Sequence, residues 1–323
     1  MKGHTLRSAI VLLIIGNALA VLSDVVVKLM GSGAPVFQFI LVRTLITIAL
    51  LLPFYRQFDL HTPFAGLRVH LLRSAMALLG VFCMVVALTT LPLATANAVF
   101  YIAPLMVMLL AVLMFSEKLT PWSVLAVVSG LAGTLVILRP LEFNWGAIAA
   151  LGGALALAIN AVLVRLLPPQ HSTVHKLFIS HVLMVPAAIL LFAGEWFISA
   201  PGWRPDILGF ALSSGALILV YSLTVLLAYR TVDANQVTSA EYTGLIWAIL
   251  IGWIWFAETP DIWFVIGSLM IVVPLILLGI FQNRPTTADR SDSSHSADTE
   301  SEAVLPQAVA HHQPSDPTLT HKH

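Results

Sequence analysis

Four ionisable side chains stand inside stretches that are otherwise apolar. Asp24 and Lys28 interrupt a run near residues 8–30, Arg43 lies within FQFILVRTLIT, and Glu241 precedes Tyr242 in a run that continues to Phe256. A charge at the centre of a bilayer costs about 2.5 to 3.5 kcal/mol on insertion scales, so each must face protein, water or a partner charge. Asp24 and Lys28 are four residues apart and share a helix face. They either satisfy one another or line a cavity. The planar fork of Arg43 suits a carboxylate or a phosphate, and it suits tying helices together equally well. Glu241 lies too deep to reach water easily, so it is paired, lines a cavity or holds a proton. With Asp24 it is the candidate for proton coupling.

Neutral groups extend the set. Asn97 and Tyr101 share one helix face, Tyr242 repeats Tyr101 in the second half, and Trp247 follows one turn later. A tyrosine offers an apolar wall with a single hydroxyl, and aromatic packing between helices is the alternative use. The candidate substrate-binding residues are therefore Asp24, Lys28, Arg43, Asn97, Tyr101, Glu241, Tyr242 and Trp247. Glu117 and Glu258 fall at helix junctions and read as architectural, and His181 reads as a hydrogen-bonded core residue. His171 and His175 have a chelating spacing but lie in a proline-flanked loop, so no metal site is expected. The single Cys83 excludes an internal disulfide. No HExxH spacing, phosphate-cradling loop or nucleophile paired with a base is present, so neither an enzyme nor a cofactor nor direct ATP drive is expected.

The surrounding sequence decides what positions these groups. Hydrophobic residues make up 59% of the chain and charged residues 10%, with a mean hydropathy of +0.93. Soluble domains carry about 25% charged residues. The chain is an integral membrane protein, and with no alternating strand pattern it is all-α. About 20 residues of helix cross a bilayer core. Ten suitable runs lie near 8–30, 36–55, 70–90, 93–115, 121–138, 143–166, 175–199, 205–229, 235–256 and 261–281. Met1 to Ala20 imitates a signal peptide, but its run continues to Met30, which argues for a retained helix. Pro104 should kink the fourth run, and Thr120-Pro121 reads as the cap and first turn of the fifth. Residues 283–323 turn to Ser, Thr, Asp, His and Pro and are expected to form a disordered tail.

Lys2, Arg7, Arg56, Arg68, Arg73, Lys118, Arg165, Lys176, Arg230, Arg284, Arg290 and Lys322 fall on one side by alternate loops, and Arg139 and Arg204 on the other. The positive-inside rule then puts both termini in the cytoplasm, in a multi-pass inner (cytoplasmic) membrane protein. No basic arm points to nucleic acid. Sliding the chain along itself by 141 residues lays Ala87–Val124 on Ala228–Val265, matching Thr90 to Thr231, Tyr101 to Tyr242, Phe115 to Phe256, Glu117 to Glu258 and Trp122 to Trp263. Five helices per repeat is an odd number, so the second copy must insert upside down. The predicted fold is ten transmembrane helices as two inverted five-helix repeats, over 1–141 and 142–282, with the tail at 283–323. Inverted repeats around a midplane site are a transporter device.

The order of VVVKLMG with Lys28, FQFILVRTLIT with Arg43, and the long ATANAVFYIAPLMVMLLAVLMFSEKLTPWSVLAVVSGLAGTLVIL stretch resembles the drug/metabolite transporter superfamily, in its paired EamA-type domains. The resemblance covers residues 8–281. It departs in the second half, where Leu245 stands for Pro104 and Pro260 for Leu119. It implies a ten-helix bundle around a central cavity, exchanging small organic solutes and often exporting them. The expected function is secondary transport of a small polar metabolite, an amino-acid-like zwitterion or an anion, by alternating access. Efflux of lipophilic cations and lipid flipping or scrambling are the alternatives. Partners are the solute and the bilayer, with the chain a monomer or homodimer.

Overall fold

In the computed structural model, residues 2–59, 62, 65–116, 118, 120–139, 144–199, 202–231, 240 and 243–281 are described, and the regular elements among them are helices. They are α1 (Lys2–Leu29), α2 (Val36–Leu51), α3 (Leu67–Thr90), α4 (Leu93–Phe100), α5 (Ala103–Phe115), α6 (Pro121–Leu138), α7 (Trp145–Leu163), α8 (Thr173–Ser199), α9 (Asp206–Thr231), α10 (Thr243–Phe256) and α11 (Ile262–Phe281). Eight spans among the described residues are long and apolar enough to cross a membrane, with α4 and α5 joined in one of them. Thr243–Phe256 and Ile262–Leu277 are shorter apolar helices. Glu117, Glu241, Tyr242 and the segment 283–323 lie outside the described residues.

Local chemistry accounts for the breaks. Pro104 cannot donate a backbone bond, and the chain turns at Tyr101 and Ile102 between α4 and α5. Thr120 caps α6 by accepting from Ser123 N at 3.1 Å, with Pro121 in the first helical position. The start of α2 takes its cap from elsewhere: Pro35 contributes no side-chain bond, and the Glu195 carboxylate of α8 accepts from Phe37 N at 3.1 Å and Gln38 N at 3.0 Å. A carboxylate there also complements the positive end of the helix dipole.

Arg73 requires a correction. The sequence places it in a loop, but α3 begins at Leu67 and Arg73 is only 5% exposed. Its Nε and Nη2 donate to Asn160 Oδ1 of α7 at 3.2 and 3.1 Å, and Asn160 Nδ2 donates back to the Arg73 carbonyl at 3.3 Å. A basic residue near the end of an apolar run reads as a loop cation until a neighbouring helix supplies an acceptor.

The packing pairs respect the division into halves. Let α1, α2, α3, α4–α5 and α6 correspond to α7, α8, α9, α10 and α11. Then α1 packs on α9 as α7 packs on α3, α2 touches α9 as α8 touches α3, and α10 lies on α1 as α4 and α5 lie on α7. The pairs α2 with α8, α4 with α10 and α6 with α11 exchange with themselves. The α6–α11 contact is tight because both helices present glycine, so that a Cβ on Gly133 would stand 2.6 Å from the Gly267 carbonyl. Equivalent helix ends also share backbone geometry. Ser116 and Ala257, 141 residues apart, are both left-handed, with φ of 55° and 53°. Next to them, Phe115 lies under the Arg165 guanidinium at 5.7 Å and Phe256 under Lys28 Nζ at 5.3 Å.

Candidate functional site

One end of the bundle is held by a half-buried ion pair. Lys28 Nζ, at the end of α1, lies 2.9 Å from Glu258 Oε1. It also donates to the Leu91 carbonyl at 2.7 Å and the Leu88 carbonyl at 3.4 Å, where α3 turns into α4. Glu258 Oε2 accepts from Leu93 N at 2.7 Å. Three helix junctions thus meet on two side chains that are 14% and 19% exposed. Above them lies a cavity of about 510 Å³, lined by Pro92, Thr95, Asn144, Glu258 and Thr259, with Arg139 paired to Asp261 at its rim.

Lys28 is therefore taken by Glu258 and not by Asp24. One turn deeper, the half-buried Asp24 carboxyl faces the Asn97 side chain as a hydrogen-bond partner and lies within electrostatic reach of Arg43. Asn97 is 7% exposed, and its Nδ2 donates to the Leu93 carbonyl at 3.2 Å. So α1, α2 and α4 bring Asp24, Arg43 and Asn97 into one polar group.

The aromatic candidates sit between α1, α4 and α10. Trp247 Nε1 donates to the Ile14 carbonyl at 3.1 Å, which pins the indole against α1. Half-buried Tyr101 places its hydroxyl over Gly244, where a Cβ would overlap it. Two buried residues join this group without having stood out in the sequence. Asn17 Nδ2 donates to the Ala240 carbonyl at 3.0 Å and to Thr243 Oγ1 at 3.2 Å, and Ser23 Oγ shares a 2.8 Å bond with Ser214 Oγ across α1 and α9. A lone amide inside an apolar run is the signal that marks Asn17.

Deeper still, a cavity of about 190 Å³ is enclosed by α2, α3, α8 and α9 and lined by Arg43, Thr44, Thr47, His181, Met184 and Ser222 among others. The His181 ring, expected as a core residue, is fixed by its Nδ1 bond to the Leu177 carbonyl at 2.8 Å and also lines this cavity. At the opposite end from Lys28, His171 Nε2 reaches the Thr62 carbonyl at 3.1 Å and Asp59 Oδ2 at 3.4 Å, and its ring stands 4.4 Å from that of His175. Among the described residues, no group of three or more His, Cys, Asp or Glu is placed to hold a metal ion.

Two halves that pack alike around a polar interior raise the question of relatives. The EamA-like transporter family matches residues 7–139 and again 144–280. The chain belongs to the EamA-like transporter family. The transporter is 25% identical over 281 residues to the pseudopaline exporter CntI of Pseudomonas aeruginosa, covering 84% of this chain and 96% of that protein. It is 26% identical over 279 residues to an S-adenosylmethionine uptake transporter of Rickettsia prowazekii, covering 84% and 92%. A riboflavin transporter of Vibrio cholerae is 23% identical over 297 residues, covering 90% and 99%. A crystal structure superposes with a TM-score of 0.58 at 18% identity, over 86% of this chain and all of the other, so the fold is shared.

Proposed function

We propose that this EamA-like transporter is a secondary carrier of a small polar metabolite, working by alternating access in the inner membrane. Its relatives carry pseudopaline, S-adenosylmethionine and riboflavin, which supports a small metabolite as the solute class. The observation that carries the mechanism is the Lys28–Glu258 latch, which stands between the 510 Å³ cavity and the buried Asp24–Asn97–Arg43 group. Ten spans form two inverted repeats, over 1–141 and 142–282, with both termini in the cytoplasm. The exchange symmetry of the helix contacts, and the position of Phe115 and Phe256 against cations at opposite ends, support that topology. The latch is then the closed outer gate. Asp24, Lys28, Arg43, Asn97, Tyr101, Glu241, Tyr242 and Trp247 line or control the pathway, and Asp24 with Glu241 couples it to protons. Export is proposed as the direction through the family resemblance alone, with an exporter among the relatives. One chain holds the whole pathway, so function requires no dimer.

The test is transport in proteoliposomes of labelled amino acids, organic acids, nucleosides and one lipophilic dye, with and without a pH gradient. Native protein should move one polar class, faster with the gradient, and Glu241→Gln or Asp24→Asn should lose the stimulation. Movement of the dye alone would replace this reading with efflux of lipophilic cations.

A further inference from the structure

The 190 Å³ cavity has a property that neither its size nor its neighbours explain. Ile40 and His181, Arg43 and Met184, and Val81 and Ser222 all line it, and each pair is 141 residues apart. The register that aligns the two halves in sequence thus folds the cavity wall onto itself, so the cavity lies on the axis relating the halves. Carriers built from repeats bind their solutes at that interface. Each pair also holds one polar and one apolar member: His181 against Ile40, Arg43 against Met184, Ser222 against Val81.

The polar inventory is lopsided. Arg43 Nη1 is buried and makes no hydrogen bond, and no ion pair joins Arg43 to Asp24 among the described residues. A buried guanidinium donor without an acceptor is costly, and a bound oxyanion would satisfy it in a charge-assisted bond. Around it the hydroxyl donors are already spent on their own helices: Thr44 Oγ1 to the Ile40 carbonyl at 2.7 Å, Thr47 Oγ1 to the Arg43 carbonyl at 2.8 Å, and Ser222 Oγ to the Ile218 carbonyl at 2.8 Å. In the neutral His181 ring the Nδ1 proton goes to Leu177, leaving Nε2 as an acceptor. The cavity therefore offers one cationic donor surrounded by oxygen and nitrogen acceptors.

Resting on the carrier reading, we infer that this on-axis cavity holds the head group of the solute, and that the head group is a carboxylate on Arg43 with a hydroxyl or amino donor beside it. The carboxylate fills the guanidinium, and the neighbouring donor meets the lone pairs of Thr44, Thr47, Ser222 or His181. Typical ligand pockets run from about 300 Å³ upward. A cavity of about 190 Å³ is sized for a head group, with the remainder of the solute toward Asp24.

Proteoliposomes give the test, with labelled alanine, lactate, propionate, the two primary amides alaninamide and lactamide, ethanolamine phosphate and a nucleoside. Native protein should take up alanine and lactate in preference to propionate and the amides. Arg43→Met should lower carboxylate uptake at least about tenfold, the loss of one charge-assisted bond. The double variant Arg43→Met with Met184→Arg, which moves the guanidinium across the axis, should recover part of it. Ser222→Ala should narrow the preference for lactate over propionate, and that readout holds even if Arg43→Met does not fold. Uptake of ethanolamine phosphate in place of the acids, or of the nucleoside alone, overturns the head-group assignment while the carrier stands. So does unchanged carboxylate uptake in a folded Arg43→Met protein. If native protein moves none of these solutes, the head-group assignment fails, and the carrier reading fails with it only if the full panel of polar classes and the dye also stays outside.

Discussion

Two arginines inside this bundle each leave a buried Nη1 without a hydrogen bond, and they differ in where they point. Arg73 gives Nε and Nη2 to one oxygen of Asn160, whereas Arg43 lines a cavity. Asn160→Ala should therefore destabilise the protein by about 2 to 4 kcal/mol, because it strands a buried charge. Asn160→Asp, which keeps the acceptor, should not. Melting temperatures in detergent decide this, and equal melting of the alanine variant and the native protein would refute the pairing. At the latch, Glu258→Gln keeps an oxygen for Leu93 N but removes the charge facing Lys28. In a Cys83→Ser background, a cysteine at Asn97 should then react several-fold faster with an impermeant maleimide applied outside. No acceleration would mean that the pair is not a gate. The chemical types of these residues were plain in the sequence, since charges in apolar runs declare themselves. Their partners were not. Asp24 and Lys28 share a face four residues apart, yet Lys28 bonds to a residue in the other half of the chain, which no local spacing reveals.

Helices were the most legible level, because a run long enough to cross a bilayer and a cap such as Thr120-Pro121 are local signals. Pro104 likewise marks the break between α4 and α5 that the structure contains. The cap on α2 escaped notice because Glu195 supplies it from α8, and α3 starts early enough to carry Arg73 inside. Close approach of α6 and α11 depends on having no side chain at Gly133 and Gly267. Gly133→Val should force these helices apart and lower the melting temperature by several degrees, whereas Gly209→Ala, with nothing within 4 Å of the new Cβ, should be neutral or mildly stabilising. Similar melting curves for the two variants would show that the contact carries no stability. Ala257 holds a left-handed conformation that glycine adopts without cost, so Ala257→Gly should raise stability slightly while leaving Glu258 where it is.

At the scale of the molecule, the proposed five spans in each half make a claim about sides. Lys118 and Thr259 are both exposed and are related by the same 141-residue offset. In intact cells lacking Cys83, a cysteine at Thr259 should be labelled by an impermeant maleimide, and one at Lys118 only after permeabilisation. Labelling of both from outside would rule out the inverted arrangement. The repeat was legible because Tyr, Thr, Glu and Trp recur in register. The axis cavity was not, because each of its pairs has diverged to one polar and one apolar member, and divergence erases the signal that identity leaves. That divergence has a stereochemical consequence. A wall identical on both sides of the axis would accept a solute in two poses related by a half-turn, and its head group would have no fixed direction in the cavity. With Arg43, His181 and Ser222 each facing an apolar counterpart, one pose survives. A racemic 2-hydroxy acid offered to the native protein should leave an enantiomeric excess behind, and the variant carrying arginine on the Met184 side, where the guanidinium meets His181 and Ser222 in a new arrangement, should change its size.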